Sequence, residues 1–188
     1  MKLYRIVPYV KTADPHAPGG PFYIPSQGVS RLDNPELYDV LYLCEDPVGC
    51  VAEAFGRLPI WSQAMLKGPQ QLSGSVQSLV TFGRRSSARG ICDLDDAAIL
   101  QERSLRPSHV ITRRYEVTQA WAKAIFSEQR WSGARWWSYY EAAWSNVGLW
   151  DRTGLKVESI EPLRMRNDVL ARAAEELSKP VIPDRQRT

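Results

Sequence analysis

Three residues whose side chains could take part in catalysis or ligand binding lie within one short stretch of the chain. They are Arg31, Tyr42 and Glu53. The guanidinium of an arginine presents a fixed fork of N–H donors that suits a phosphate or a pyrophosphate. Gly28 precedes Arg31 by three residues and would let the backbone come close to such a ligand. A carboxylate such as Glu53 can face positive charge that develops during a reaction. The stretch 28–53 is therefore a candidate active site.

A helix is predicted to carry Glu53. Asp46 followed by Pro47 is typical of a helix N-terminus, and we expect this helix to continue to about residue 57. Its apolar stripe at helical spacing consists of Val48, Val51, Ala52 and Phe55. Glu53 lies off that stripe, and its own face carries Gly49 and Gly56. The surface beside the carboxylate is thus predicted to be bare, with room for a ligand.

Strands are predicted to carry Tyr42 and a fourth candidate, Ser138. The run 39–44 is apolar on both faces, as in a buried strand, where the hydroxyl of Tyr42 would need a buried partner. Over 134–140 one predicted strand face carries Ala134, Trp136, Ser138 and Tyr140 and the other carries Arg135, Trp137 and Tyr139, and Ser138 is a small hydroxyl among large rings. No histidine or lysine lies nearby to activate Ser138, so hydrogen bonding to a ligand is the more economical role.

Each candidate also has an ordinary structural explanation. A loop arginine such as Arg31 is most often solvated, and Glu53 could form a surface pair with Arg57, four residues later. A strand tyrosine is usually part of the core, and Ser138 could simply make space between two aromatic rings. The residue types alone leave these alternatives open.

The rest of the chain predicts one α+β domain over residues 1–179, followed by a flexible tail at 180–188. Between an opening strand at 3–7 and the Tyr42 strand lies a long segment, 9–37, which is rich in proline and glycine and carries Arg31. Further strands are predicted at 78–82 and 155–160, and further helices at 93–105 (capped by Asp93), 112–129 and 167–177. The second of these helices has an apolar stripe of Val117, Ala120, Trp121, Ala124 and Ile125, which places Trp121 in the core.

Composition excludes several classes of protein. A chain of 188 residues that is 44% hydrophobic suits one domain with a sizeable core. The net charge of +3 is too small to argue for nucleic acid, and the three cysteines lack zinc-like spacing. No apolar run is long enough to span a membrane. We therefore expect a cytoplasmic protein with reduced thiols, no metal, no prosthetic group, and no direct contact with nucleic acid or membrane.

Short pieces spread over residues 3–163 occur in the order found in RES-domain proteins, a family named for its Arg, Glu and Ser. The chain resembles that family in these pieces, in chain order: Leu3-Tyr4-Arg5-Ile6, Gly28-x-x-Arg31, Val40-Leu41-Tyr42-Leu43, Ala52-Glu53, Ile111-Thr112, Gln119-Ala120-Trp121-Ala122 and Gly133-Ala134-Arg135-Trp136-Trp137-Ser138. Each piece is short, but the ordered set is specific.

The resemblance implies a fold like that of the ADP-ribosyltransferases and a toxin of a bacterial toxin–antitoxin pair. Such proteins consume NAD by phosphorolysis or hydrolysis, and some transfer ADP-ribose to a protein. Carried over by motif, Arg31 would anchor the pyrophosphate and Tyr42 would line the nicotinamide ribose. Glu53 would face the ribose charge and Ser138 would orient the ligand. NAD, inorganic phosphate as a second substrate, a helix-turn-helix (Xre-like) antitoxin and a second copy of the chain are the implied partners.

One departure from the family pattern affects the expected activity. The family usually has an aromatic residue directly after the arginine, whereas this chain has Leu32 followed by Asp33. If that aromatic residue packs against nicotinamide, its absence would lower catalytic efficiency, and Leu32→Trp would restore it. Three functions stay open at this point: an NAD-cleaving toxin, a protein ADP-ribosyltransferase, and a non-catalytic binding module with the same fold.

Overall fold

The computed structural model describes residues 1–182, and within them seven strands form one sheet. The strands are β1 (Lys2–Tyr9), β2 (Leu41–Cys44), β3 (Val76–Arg84), β4 (Cys92–Asp93), β5 (Gly133–Trp137), β6 (Ser145–Leu149) and β7 (Leu155–Pro162). Their order across the sheet is β4-β5-β6-β2-β1-β3-β7. Neighbouring strands are antiparallel, except that β4 and β5 are parallel.

Two groups of helices pack against this sheet. They are α1 (Pro47–Phe55), α2 (Ala97–Glu102), α3 (Pro107–Val110), α4 (Tyr115–Ser127) and α5 (Asp168–Glu176), with a short 3-10 helix at Gln63–Leu66. Helices α1 and α5 share one apolar cluster with Trp61, and α2 to α4 share another with β4 and β5. A third cluster joins β1, β2, β3 and β6 to the segment 9–24. The predicted mixed α+β domain is therefore observed.

Strand register decides which side chains lie together. Residues paired across strands share a face of the sheet, as do alternate residues along one strand. Cys44 pairs with Asn146, and Asn146 pairs with Trp136. These three residues and Tyr42 therefore occupy the same face, between the α1 group and the α2–α4 group.

Several predicted boundaries need correction. Cys92–Asp93 is a strand that pairs with β5, so the helix predicted from 93 begins at Ala97, and Asp96 caps it by accepting from the N–H of Ala98. Strand β6 was not predicted. Strand β5 ends at Trp137, because a turn follows at 138–144 and returns the chain to β6.

The apolar stripe predicted for α4 is partly wrong. Trp121 and Ile125 are buried as expected, but Ala120 and Ala124 are exposed, and Thr118 and Ala122 occupy the buried face instead. Alanine is a weak guide to the buried face because its small side chain gains little from burial. The indole N–H of Trp121 donates to the carbonyl of His109, which ties α4 to α3.

The predicted tail begins with an ordered piece. Val181 forms a parallel bridge with Trp61, the N–H of Trp61 donates to the carbonyl of Pro180, and the N–H of Ile182 donates to the carbonyl of Trp61. Residues 180–182 are therefore held against the domain, contrary to the expectation of a tail from residue 180. The remainder of that prediction, 183–188, lies outside the described residues.

Candidate active site

A cavity of about 350 Å³ lies on the sheet face between the two helix groups. Its floor includes Tyr42, Cys44, Trp136 and Asn146 from the central strands. The α1 side contributes Cys50, Glu53, Ala54 and Arg57, and the opposite side contributes Ser30, Arg31, Tyr115 and Tyr139. Three of the four predicted site residues, Arg31, Tyr42 and Glu53, thus line one cavity.

Helix α1 places Glu53 at this cavity. Asp46 caps the helix by accepting from the N–H groups of Val48 and Gly49 at 2.7 and 3.0 Å, as the Asp-Pro pattern predicts. The predicted stripe of Val48, Val51, Ala52 and Phe55 is buried, which fixes the rotation of the helix. Glu53 therefore projects from the exposed side of α1.

Two side chains hold the Glu53 carboxylate in one orientation. Its Oε1 accepts a hydrogen bond of 2.7 Å from Ser138 Oγ and another of 2.7 Å from Asn146 Nδ2. Among residues 1–182, Oε2 has no hydrogen-bond donor. Glu53 also forms no ion pair with Arg57 in this part of the chain, so the surface pair considered above is absent. One carboxylate oxygen is therefore fixed by Ser138 and Asn146, whereas the other carries no hydrogen bond from the described residues.

Asn146 is a site residue that sequence reasoning missed. Its Oδ1 accepts from the Cys44 thiol at 3.3 Å, which directs Nδ2 towards Glu53. A hydrogen bond with Cys50 and burial raise the pKa of Cys44, so the thiol keeps its proton and remains a donor. Nothing in the local sequence marks Asn146, because its position depends on the pairing of β6 with β2.

Ser138 lies one residue beyond the end of β5, and its hydroxyl is used within the protein. The hydroxyl donates to Glu53 and accepts from the N–H of Tyr140 at 3.1 Å, and the residue is only 3% exposed. Its own N–H donates to the carbonyl of Trp144 at 2.6 Å. Ser138 therefore acts on the site by positioning Glu53, whereas the sequence predicted direct orientation of the ligand.

The bare helix face predicted beside Glu53 is filled by aromatic rings. A Cβ added to Gly49 would come within 2.9 Å of the side chain of Trp144, and one added to Gly56 would come within 2.6 Å of the ring of Tyr140. Both rings belong to the turn 138–144 that follows β5. The glycines therefore make room for this turn, and its close packing brings Ser138 to the carboxylate.

A buried aspartate shapes the loop that carries Arg31. Asp33 Oδ2 accepts from the N–H groups of Gly28, Val29 and Ser30 at 2.8, 3.1 and 2.8 Å. Gly28 has a φ of 132°, which side-chain-bearing residues rarely adopt, and a Cβ there would meet no atom of residues 1–182 within 4 Å. Gly28 is thus required by the backbone angle, and the loop is ordered by Asp33.

Arg31 is fixed on one side and open on the other. Its Nη1 donates to the carbonyls of Val110 and Thr112, the second at 3.0 Å. Burial lowers the pKa of Arg31, although the guanidinium stays charged at neutral pH. Within the described part of the chain, Arg31 has no carboxylate partner, so its remaining donors are available to an anionic ligand.

The loop that carries Arg31 accounts for the hydrogen bonds of Tyr42 and for the burial of Leu32. The Tyr42 hydroxyl donates to Asp33 Oδ1 at 2.7 Å and accepts from the N–H of Leu32 at 2.8 Å, which supplies the predicted buried partner. Burial and the bond to Asp33 raise the pKa of Tyr42 well above its ordinary value. Leu32 is fully buried, and a Cβ on Gly148 would lie 2.2 Å from its Cδ1. Position 32 therefore belongs to the core, and Leu32 is not among the described residues that line the cavity.

The fold and the site together define a single α+β domain that places an arginine and a fixed carboxylate in one cavity. The model of the RES domain matches residues 2–168. The chain belongs to the RES domain family. A search of curated proteins found no match.

One solved structure similar to this chain is the M. tuberculosis MbcT–MbcA toxin–antitoxin complex. The sequences are 16% identical, the match covers 95% of this chain and 89% of that chain, and the TM-score is 0.59. The likeness confirms the predicted fold class, a mixed α/β domain resembling the ADP-ribosyltransferase fold. Among the described residues, no helix has the length and apolar character needed to cross a membrane.

Proposed function

We propose that this protein is the toxin of a bacterial toxin–antitoxin pair and that it cleaves the nicotinamide N-glycosidic bond of NAD. The observation that carries the proposal is the fixed Glu53 carboxylate in one cavity with Arg31, since Oε2 accepts from no donor within residues 1–182. Membership of the RES domain family supports it. The cavity of about 350 Å³ falls in the range of small-molecule sites.

The chemistry requires charge stabilisation more than it requires a nucleophilic side chain. As the bond from ribose C1 to the nicotinamide nitrogen breaks, its electron pair leaves with the cationic ring, which becomes neutral. Positive charge builds on the ribose, and Glu53 would stabilise it through Oε2. Removal of one such preorganised group typically costs ~10² to 10³ in rate. An oxygen of water or of inorganic phosphate then forms the new bond to C1, which gives hydrolysis or phosphorolysis.

Arg31 and Tyr42 have distinct tasks in this proposal. Arg31 would bind the pyrophosphate of NAD through the donors that Val110 and Thr112 leave unused. Tyr42 would line the nicotinamide ribose side of the floor, while its hydroxyl holds the Arg31 loop through Asp33. No metal or prosthetic group enters the proposal.

An antitoxin is the protein partner we propose. The similar solved structure is a toxin–antitoxin complex. We propose a helix-turn-helix (Xre-like) antitoxin for this chain and action in the cytoplasm, where NAD is available. A second copy of the chain is a further candidate partner.

The test is to incubate purified protein with NAD, with and without inorganic phosphate, and to measure free nicotinamide. Phosphorolysis predicts a sugar 1-phosphate product and a dependence on phosphate, whereas hydrolysis predicts ADP-ribose in either buffer. Glu53→Gln should lower release by ~10² to 10³, whereas Glu175→Gln, an exposed substitution on α5, should leave it unchanged. ADP-ribose found attached to protein would identify a protein ADP-ribosyltransferase. If no nicotinamide is released under any condition, the protein is instead a non-catalytic binding module.

Expression in a bacterial host gives a second test. If the proposal is right, expression alone arrests growth and NAD pools fall, while the Glu53→Gln form does neither. Arrest with unchanged NAD pools would instead indicate modification of a protein target.

A further inference from the structure

A second, smaller compartment adjoins the main cavity beside Glu53. It has a volume of about 90 Å³ and is lined by Arg31, Glu53, Arg57, Arg113, Tyr115, Tyr139 and Tyr140. The compartment is smaller than the main cavity, and its size suits a small anion such as phosphate better than a whole nucleotide. The two compartments share five lining residues: Arg31, Glu53, Arg57, Tyr115 and Tyr139.

Three separate chain segments bring arginines to this compartment. Arg57 follows the end of α1, Arg113 precedes α4, and Arg31 lies on the loop ordered by Asp33. The two tyrosines of the turn 138–144 complete the wall, and the Arg113 guanidinium lies over the ring of Tyr139, 5.4 Å from its centroid. Aromatic contact of this kind orients a guanidinium without neutralising it.

In the described part of the chain, the positive charges of this compartment outnumber its single carboxylate. Arg103, Arg114, Arg130 and Arg135 form ion pairs with carboxylates elsewhere in the described residues. Arg31, Arg57 and Arg113 form none within residues 1–182, and Glu53 is the one carboxylate among the seven lining residues. Three like charges around a small space repel one another unless an anion occupies it.

Tyr140 also lies close to these charges. Burial and the Glu53 carboxylate raise the pKa of Tyr140, while Arg57 and Arg113 oppose that rise. The hydroxyl therefore experiences both arginines and the carboxylate. Tyrosine hydroxyls beside guanidinium groups provide additional donors for phosphate oxygens.

We propose that this compartment binds one phosphate group, held by Arg57 and Arg113 together with Arg31. Resting on the function proposed above, inorganic phosphate here would be the acceptor: an oxygen forms the bond to ribose C1 while the C1–N bond breaks and its electron pair leaves with nicotinamide. The product is the sugar 1-phosphate, and any proton on the phosphate passes to solvent. The alternative occupant of this compartment is a phosphate group of the bound nucleotide itself.

The test compares Arg57→Gln and Arg113→Gln with Arg172→Gln, an exposed substitution on α5 with the same change in net charge. Binding of inorganic phosphate and, separately, of ADP-ribose is measured by calorimetry on the whole protein. We expect the two compartment variants to bind phosphate at least about tenfold more weakly than the control, since each loses a charge-assisted contact. Urea unfolding of all three proteins checks that the fold is retained.

The outcomes separate the two sources and the two proposals. Weaker phosphate binding with unchanged ADP-ribose binding supports the acceptor site, and the KM for phosphate should then rise while the KM for NAD does not. Weaker ADP-ribose binding with unchanged phosphate binding assigns the compartment to the nucleotide. Equal binding of both probes by variants and control overturns the proposal. A phosphate site in a protein that releases no nicotinamide would overturn the NAD-cleaving function alone.

Discussion

Replacing Asn146 by aspartate is the sharpest test of how Glu53 is held. The substitution keeps the shape of the side chain but exchanges the Nδ2 donor for an acceptor, opposite Glu53 Oε1 at 2.7 Å. The contact with the Cys44 thiol is retained, because Oδ1 remains an acceptor. The variant therefore changes one interaction, from a donor on a carboxylate to a second carboxylate.

The cost can be estimated from the geometry. Two negative charges 2.7 Å apart repel by about 6 kcal/mol at an effective dielectric constant of about 20. Keeping a proton on an ordinary aspartate at pH 7 costs about 4 kcal/mol, which is less than this repulsion. The two facing carboxyl groups of the variant therefore share one proton. The loss in free energy of unfolding is then at most about 4 kcal/mol at pH 7. Because the folded variant binds one proton more than the unfolded chain, its stability falls with rising pH by about 1.4 kcal/mol per unit above about pH 4.

Urea unfolding of Asn146→Asp and the unmodified protein at several pH values between 4.5 and 7.5 measures this slope. Asn167→Asp is the matched control, because Asn167 accepts a hydrogen bond from the N–H of Arg164, a role that aspartate keeps. Nicotinamide release should fall at neutral pH in the Asn146 variant alone. A stability difference that does not vary with pH would refute the hydrogen bond from Asn146 to Glu53.

Four further predictions follow from the same contacts. Glu53→Gln should lower NAD cleavage by ~10² to 10³ at unchanged melting temperature, and a sharp loss of stability with surviving activity would contradict it. Asp33→Asn should lower the free energy of unfolding in urea by about 1.5 to 3 kcal/mol and raise the KM for NAD, because it weakens the hydrogen bonds to three N–H groups of the Arg31 loop. An unchanged KM would show that the conformation of this loop does not affect NAD binding. Arg31→Lys should weaken NAD binding about ten- to hundredfold in calorimetry. Normal binding by this variant would show that Arg31 does not bind the pyrophosphate. Leu32→Trp should destabilise the protein by about 1 to 3 kcal/mol without a gain in activity, and a faster enzyme would show that position 32 reaches the ligand.

Local patterns predicted those elements that local chemistry controls. Asp46-Pro47 located the start of α1 because a cap and a fixed φ act within a few residues. The apolar runs predicted β1, β2, β3 and β7, because such a run is likewise a pattern among a few neighbouring residues. Strand β6 was missed because Ser145–Leu149 is buried along its whole length and does not alternate.

The sequence by itself determined the fold class, the helix that carries Glu53, the loop that carries Arg31 and, through the ordered RES pieces, the family. Tertiary structure decided what these side chains do. It assigned Ser138 and Asn146 to the Glu53 carboxylate, Asp33 to the loop, and Leu32 to the core. The physical reason is sequence distance: Asn146 and Glu53 are separated by 93 residues and meet only through the register of β6 on β2. Caps and periodicity are short-range and can be read along the chain, whereas the partner of a carboxylate is set by strand pairing and packing.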